Sequence, residues 1–207
     1  MAKKKILCTG TCGMIFGNFV RKAIYNKIDY DIVSIDKVCN PVNLHNIYAN
    51  KTHKYYIGDV ADAHFIDLIF SIEKPDIVIH GASESSVAQS IENAAPFIHS
   101  NVLGTQVMVD ASIKHKVERF VLVSTDEVLG SLGDNDSPWT EEAPLNPRNY
   151  YSASKAAGEC IVKAAHNTFG LNYNITRCCN NFGPRQHSRN LIPMIIKNIL
   201  NNQPVTI

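Results

Sequence analysis

The 207 residues are 45% hydrophobic and 19% charged, with a formal net charge of +1. That balance suits a globular chain with a real core and gives no electrostatic case for nucleic acid or a membrane surface. No apolar stretch reaches the roughly 18 residues of a membrane span, and the run Ile6-Leu7-Cys8 breaks into Thr9-Gly10 too early for a signal peptide. Lysines 3 to 5 form a short basic start that reads as a solvated terminus. The length allows one domain or one and a half. Cysteines 8, 12, 39, 160, 178 and 179 are scattered, and adjacent Cys178 and Cys179 suit neither a mutual disulfide nor a zinc knuckle. The expectation is a cytoplasmic protein with reduced, mostly buried thiols and, with dispersed histidines, no metal site.

Residues 4–9 read as a short strand, followed by the glycine-spaced turn Gly10-Thr11-Cys12-Gly13 and a helical pattern through Phe19, Val20, Ala23 and Ile24. A strand, a glycine turn and a helix make a phosphate cradle, because the backbone approaches a pyrophosphate closely and the helix N-terminus donates N–H groups. A second strand over 30–35 ends at Asp36, close to the spacing of an acid that accepts from the adenosine ribose hydroxyls. A carboxylate there repels a 2′-phosphate, so NAD is favoured over NADP, an argument that neighbouring Lys37 weakens slightly.

The alternation continues with a strand near 54–57 running into Gly58-Asp59-Val60, a helix over about 62–72, and the strand 76–80. That strand opens into the small-residue loop Gly81-Ala82-Ser83-Glu84-Ser85-Ser86, ahead of a helix over roughly 94–115. Alternating strands and helices with short connections predict an α/β, Rossmann-like doubly wound parallel sheet with helices on both faces. The apolar run 117–123 predicts a buried strand whose exit carries Ser124-Thr125-Asp126-Glu127. On an extended backbone the two carboxylates point to opposite sides, so they can hold separate positions on one substrate. A solvated turn accounts for this stretch equally well. Residues 131–149 form a polar, proline-rich loop of a length that is functional or disordered. It leads into a helix to about 168 on which Tyr151 and Lys155 share a face, where a nearby ammonium lowers the phenol towards general-base chemistry.

The glycine turn, Asp36, Ser124-Thr125-Asp126-Glu127-Val128, Tyr151-Ser152-Ala153-Ser154-Lys155 and Asn180-Asn181-Phe182-Gly183-Pro184 resemble the extended short-chain dehydrogenase/reductase family. Within it they look like the nucleoside-diphosphate-glucose 4,6-dehydratases, over nearly the whole chain. The resemblance implies an NAD-dependent hydro-lyase in which Tyr151 takes the O4 proton, Lys155 tunes it and Thr125 bonds near O4. Glu127 is the implied base at C5 and Asp126 the implied acid at the C6 hydroxyl. Implied cofactor contacts are Gly10, Gly13, Met14, Ile15, Asp36, Lys37, Asp59, Val60, Ala82, Ser83, Ser85, Ser100, Tyr151, Lys155 and Asn181. Implied substrate contacts are Ser85, Thr125, Asn180, Asn190 and Leu191. The resemblance also implies a homodimer through the helices at 94–115 and 151–168. It divides the chain into an NAD-binding domain over 1–180 and, at 181–207, the start of an incomplete substrate-binding domain.

Several residues depart from the family pattern. Phe16 stands at the third glycine position, where it is expected to push the helix outward or reorient the turn. Leu129 replaces the usual Tyr, Asn190 replaces a substrate-contacting lysine, and Ser86, Ala88 and Gln89 replace polar or charged groups. A nucleotide-sugar 4-epimerase, which needs the tyrosine, the lysine and NAD alone, and a non-catalytic NAD-binding module are the competing readings.

Overall fold

The computed structural model describes residues 3–38, 53–188 and 190–205; Cys39 lies outside them. Six strands form one sheet: β1 (Lys4–Thr9), β2 (Tyr30–Asp36), β3 (Lys54–Ile57), β4 (Ile77–His80), β5 (Arg119–Thr125) and β6 (Tyr173–Cys178). Their spatial order is β3-β2-β1-β4-β5-β6. Every pairing is parallel, with Lys4 opposite Tyr30, Ile6 opposite Ile77 and Phe120 opposite Tyr173. This is the doubly wound order expected from the alternating pattern, and its switch point lies between β1 and β4.

The two faces separate by strand periodicity. Leu7, Val33, Val78, Phe120 and Leu122 point to a core shared with α2 (Ala63–Glu73), α5 (Gly104–Lys114) and α6 (Tyr150–Phe169). Ile6, Cys8 and Ile32 point the other way, against Val20 and Ala23 of α1 (Met14–Tyr25). The helix at 94–115 is a rod of three parts: α4 (Ala95–Phe97), a π-helical turn over Ile98–Leu103, and α5. Helix α3 (Val87–Glu92), strand β6 and helix α7 (Leu191–Leu200) are additions to the sequence reading. Strand β5 runs two residues beyond the apolar stretch, so Thr125 is its last residue.

Helix α6 begins at a capping box in which Asn149 Oδ1 accepts from Ser152 N at 2.7 Å and the Ser152 hydroxyl reaches back to the Asn149 N–H. It ends at Gly170, whose φ of 73° is the left-handed closure that glycine adopts without strain. Arg177 of β6 grips the fully buried Glu159 of α6 with two bonds, at 3.0 and 2.7 Å, which ties the edge strand to this helix.

The 131–149 loop is anchored. Its Trp139, Ala143 and Leu145 pack on Val128, Leu129 and Ala156, and Asn146 N donates to Val128 O at 2.9 Å. This accounts for Leu129, which is a buried floor beneath the loop. Phe16 is accommodated by a glycine on the neighbouring turn. Its ring fills the space left by Gly81, where an added Cβ would lie 2.1 Å from Phe16 Cε2.

Candidate active site

The carboxyl ends of β1 and β4 meet at the switch point. Gly10 has φ +76°, and an added Cβ would stand 2.8 Å from both Ala82 N and Gly81 C, so the two turns touch through glycine. Helix α1 starts at Met14 behind Gly13 with no side-chain cap, leaving its N-terminus to a ligand. The Thr11 hydroxyl in this turn is buried and has no hydrogen-bond partner among the described residues. An orphaned donor, an uncapped helix start and a glycine approach fit a dinucleotide pyrophosphate.

Asp36 closes β2 beside the turn. Its Oδ2 accepts from Cys12 N and its Oδ1 from Val38 N, both at 2.8 Å, so the carboxylate is fixed with acceptor capacity left for a ribose diol. Lys37 turns from it to Glu84 Oε1 and to the buried Ser100 hydroxyl, each at 2.8 Å. This geometry restores the preference for NAD that the lysine weakened. Asp59 receives the Ala61 N–H at 2.9 Å and pairs with His99 at 3.1 Å, while buried Val60 packs against Gly104. Ala82 and Ser83 stay partly accessible in the β4 loop and Ser85 is exposed.

At the end of β5 the backbone does not remain extended. The Thr125 hydroxyl accepts from Glu127 N at 3.3 Å and closes a 3₁₀ turn over Asp126–Leu129. This corrects the two-sided strand picture: about three residues per turn separate the carboxylates by a third of a revolution. They still diverge. The Thr125 hydroxyl donates to Asp126 Oδ1 at 3.2 Å, whereas Glu127 Oε2 accepts from Asn149 Nδ2 at 3.1 Å.

Tyr151 and Lys155 face this turn from α6, both almost fully buried. The expected lowering of the tyrosine does not occur here. Burial, with the Glu127 carboxylate adding to it, pushes the Tyr151 phenol up to about 12, against an opposing hydrogen bond from Thr125. Lys155 instead donates to the Val123 carbonyl, and burial pulls its ammonium down to about 8. As the site stands, Tyr151 is held as the neutral phenol, and added positive charge beside it would favour the phenolate.

Asn181 donates to Cys179 O at 2.8 Å, and its segment is tied to α1 by Asn18 Nδ2 donating to Pro184 O at 2.8 Å. Asn180 is exposed in the same stretch. A cavity of about 790 Å³ opens between α1 and this segment; Met14, Ile15 and Asn181 line it, and the β5 carboxylates do not. Asn190 caps α7 through its backbone and Leu191 opens that helix, whose residues are not buried; neither joins the β5 cluster by a described hydrogen bond. The thiol expectation is corrected too: of the described cysteines, Cys8 and Cys12 are buried, while Cys179 is exposed beside Asp126, whose hydrogen bond raises its thiol. Asn149 escaped the sequence reading, although Asn-x-x-Ser ahead of a helix is a legible capping signal. No group of three or more metal-ligating side chains comes together among the described residues, and no helix there is long and apolar enough to cross a membrane.

Comparison with known proteins places this geometry. The chain is 36% identical over 210 residues to dTDP-glucose 4,6-dehydratase of Streptomyces niveus, covering 98% of this chain and 61% of that one. It superposes on the crystal structure of DesIV, a dTDP-glucose 4,6-dehydratase from Streptomyces venezuelae with NAD bound, at a TM-score of 0.86 and 38% identity, over 96% of this chain and 62% of that one. A UDP-glucose 4-epimerase from Thermotoga maritima aligns at a TM-score of 0.88 and 27% identity, over 98% of this chain and 65% of that one. The chain thus spans less than two thirds of the length of each of these proteins. Residues 6–207 match the family described as NAD dependent epimerase/dehydratase, whose cofactor is NAD, and to that family the chain belongs.

Proposed function

We propose that the chain carries the NAD-binding and catalytic part of a nucleoside-diphosphate-glucose 4,6-dehydratase, a hydro-lyase acting on dTDP-D-glucose or UDP-D-glucose. The observation that carries this reading is the trio Thr125, Asp126 and Glu127 gathered at the end of β5 against the Tyr151 phenol. A 4-epimerase has no use for two diverging carboxylates there. NAD, when bound, would supply reversible hydride transfer between C4 and C6, with no net redox change. Gly10, Gly13, Met14, Ile15, Asp36, Asp59 and Val60 would hold its adenosine and pyrophosphate; Ala82, Ser83, Ser85, Tyr151, Lys155 and Asn181 would face the nicotinamide half. Lys37 and Ser100 would support the adenosine side through their mutual bond.

In this reading Tyr151 Oη takes the O4 proton as C4 becomes a ketone, with the Thr125 hydroxyl bonding near O4. The ketone acidifies C5, whose proton passes to Glu127, held in place by Asn149. Asp126 gives a proton to the C6 hydroxyl, which leaves as water. A proton returned at C5 completes the 4-keto-6-deoxy sugar. The substrate side would draw on Ser85, Asn180, Asn190 and Leu191. Residues 1–180 would form the NAD-binding domain and 181–207 the start of a substrate-binding domain, within a cytoplasmic homodimer whose mass light scattering would report.

The test is incubation of the protein with both sugar nucleotides and NAD, followed by alkali. A 4-keto chromophore that disappears in Glu127→Gln supports dehydration. Interconversion of the 4-hydroxyl that survives Glu127→Gln instead establishes the epimerase reading, which the UDP-glucose 4-epimerase neighbour keeps in view. NAD binding with no turnover of either sugar refutes both.

A further inference from the structure

Strand β4 ends on His80, which is 1% exposed and whose two ring nitrogens are both taken up by threonine hydroxyls away from the β5 carboxylates. Its Nδ1 lies 2.8 Å from the hydroxyl of Thr9, the last residue of β1, and its Nε2 lies 3.2 Å from the hydroxyl of Thr105 on α5. Each hydroxyl reaches further. Thr9 Oγ accepts the N–H groups of Gly81 and Ala82, both at 3.1 Å. Thr105 donates to the carbonyl of Asn101 at 2.7 Å, inside the π-helical turn, and the Asn101 amide holds Glu84 by both its N–H (2.8 Å) and its carbonyl (3.0 Å). The β4 loop is therefore pinned at both ends, and His80 is the bridge between the pins.

Counting protons fixes the direction of every bond. The single Thr105 hydroxyl hydrogen goes to Asn101 O, so towards Nε2 this oxygen can only accept, and Nε2 must carry hydrogen. Thr9 Oγ already accepts two N–H groups, so its own hydrogen goes to Nδ1, which must be bare. One arrangement satisfies all the groups: the neutral Nε2–H imidazole. Burial, with the Lys155 ammonium nearby, pushes His80 down to about 3, in keeping with that count.

We propose that His80 is a positioning residue: locked as the neutral Nε2–H tautomer, it links the pins on the Gly81–Glu84 loop and thereby sets the affinity for NAD. The inference rests on the β1/β4 crevice being the NAD site. It gives His80 no part in proton transfer. A buried histidine serving only as core would tolerate loss of either bond with a change in stability and nothing else.

Two pairs of variants separate the arms. Thr105→Val removes the hydroxyl at nearly constant volume, and Thr105→Ser restores it. His80→Asn places an acceptor where Nδ1 stood and keeps the Thr9 arm, whereas His80→Gln places a donor where Nε2 stood and keeps the Thr105 arm. Calorimetric titration with NAD is expected to show the dissociation constant rising about five- to tenfold in Thr105→Val, the worth of one buried bond, and returning to within about twofold of the parent in Thr105→Ser. Each His80 variant should fall between. Amide exchange at Gly81 and Ala82, read by NMR without NAD, should quicken in Thr105→Val and recover in Thr105→Ser. Nitrogen-15 shifts of the His80 ring should report Nε2–H unchanged from pH 5 to 8. Unchanged NAD affinity and exchange alongside a lowered melting temperature would reduce His80 to core packing and overturn the proposal, as would an Nδ1–H or imidazolium signal. A parent protein that fails to bind NAD overturns the reading of the crevice and the affinity claim with it, while exchange and ring shifts still decide whether His80 pins the loop.

Discussion

Replacing Gly81 with Ala tests whether Phe16 and Gly81 act as one complementary pair. Gly81 shows no left-handed φ, so alanine there should stabilise by roughly 0.4–1 kcal/mol through the unfolded chain alone. Space reverses that sign. The new methyl would stand 2.1 Å from Phe16 Cε2 and 2.4 Å from Cδ2, where carbon contacts settle near about 3.5–4.0 Å. The ring must retreat by more than an ångström, yet it is 8% exposed and packs edge-on to Phe19 at 6.0 Å between centroids. Overpacking of this kind costs about 1–3 kcal/mol, or a melting temperature about 2–12 °C lower in a chain of this length. The displaced ring lies in the first turn of α1, so NAD affinity should fall as well. Thermal melts and NAD titration of Gly81→Ala, Phe16→Leu and the double variant close a cycle. The two substitutions should couple by at least about 1 kcal/mol, the smaller ring relieving the methyl. A stabilised Gly81→Ala, or single costs that add within about 0.5 kcal/mol, would refute the pairing.

Asn149 serves two masters, the cap of α6 and the Glu127 carboxylate. Asn149→Ala should cost about 0.5–2 kcal/mol in denaturant melts and also lower turnover, whereas Asn149→Asp keeps the cap but sets a like charge on Glu127, so turnover falls with stability nearly intact. Lys155→Met should abolish turnover yet raise the melting temperature at pH 7, because it removes a buried ammonium. Since folding lowers that group from 10.5 to about 8, the folded state sheds its proton first, and the gain should shrink as pH rises from about 8 past 10.5. At the other end of the sheet, burial alone would raise the Glu73 carboxyl, but bonds from Lys5, Tyr56 and Lys54 bring it down to about 2. The stability this supplies is present above the unfolded value near 4.5 and is lost as pH falls towards 2. Urea melts across that window should show the loss, and Glu73→Gln should flatten it while lowering stability at neutral pH.

What the sequence disclosed and what it withheld divide along a physical line. Strands β1, β2, β4 and β5 announce themselves because a parallel strand covered on both faces must be apolar throughout, and the turn after β1 because a dinucleotide demands glycine at Gly10. Edge strand β6 hides: Asn174, Thr176 and Arg177 face solvent or the buried Glu159 and erase the apolar run. Helix α7 hides behind Pro193, which sits harmlessly in its first turn. The chemistry-bearing types at Thr125, Asp126, Glu127, Tyr151 and Lys155 are legible because reactions need those groups, but their electrostatics are not. Tyr151 and Lys155 at helical spacing predict a lowered phenol, while in space Lys155 turns to a backbone carbonyl and burial raises Tyr151. Phe16 and Gly81 show the same limit more sharply. Read along the chain, Phe16 looks like damage to a motif and Gly81 like one more small loop residue; their complementarity exists only across the crevice, 65 residues apart in sequence. His80, whose partners Thr9 and Thr105 lie 71 and 25 residues away, is invisible for the same reason. Local pattern thus reports what a residue must be for its own strand or helix. A departure from pattern is where to look for a constraint imposed from elsewhere in the fold, and here two of them, at Phe16 and Leu129, resolve into packing once the partner is seen.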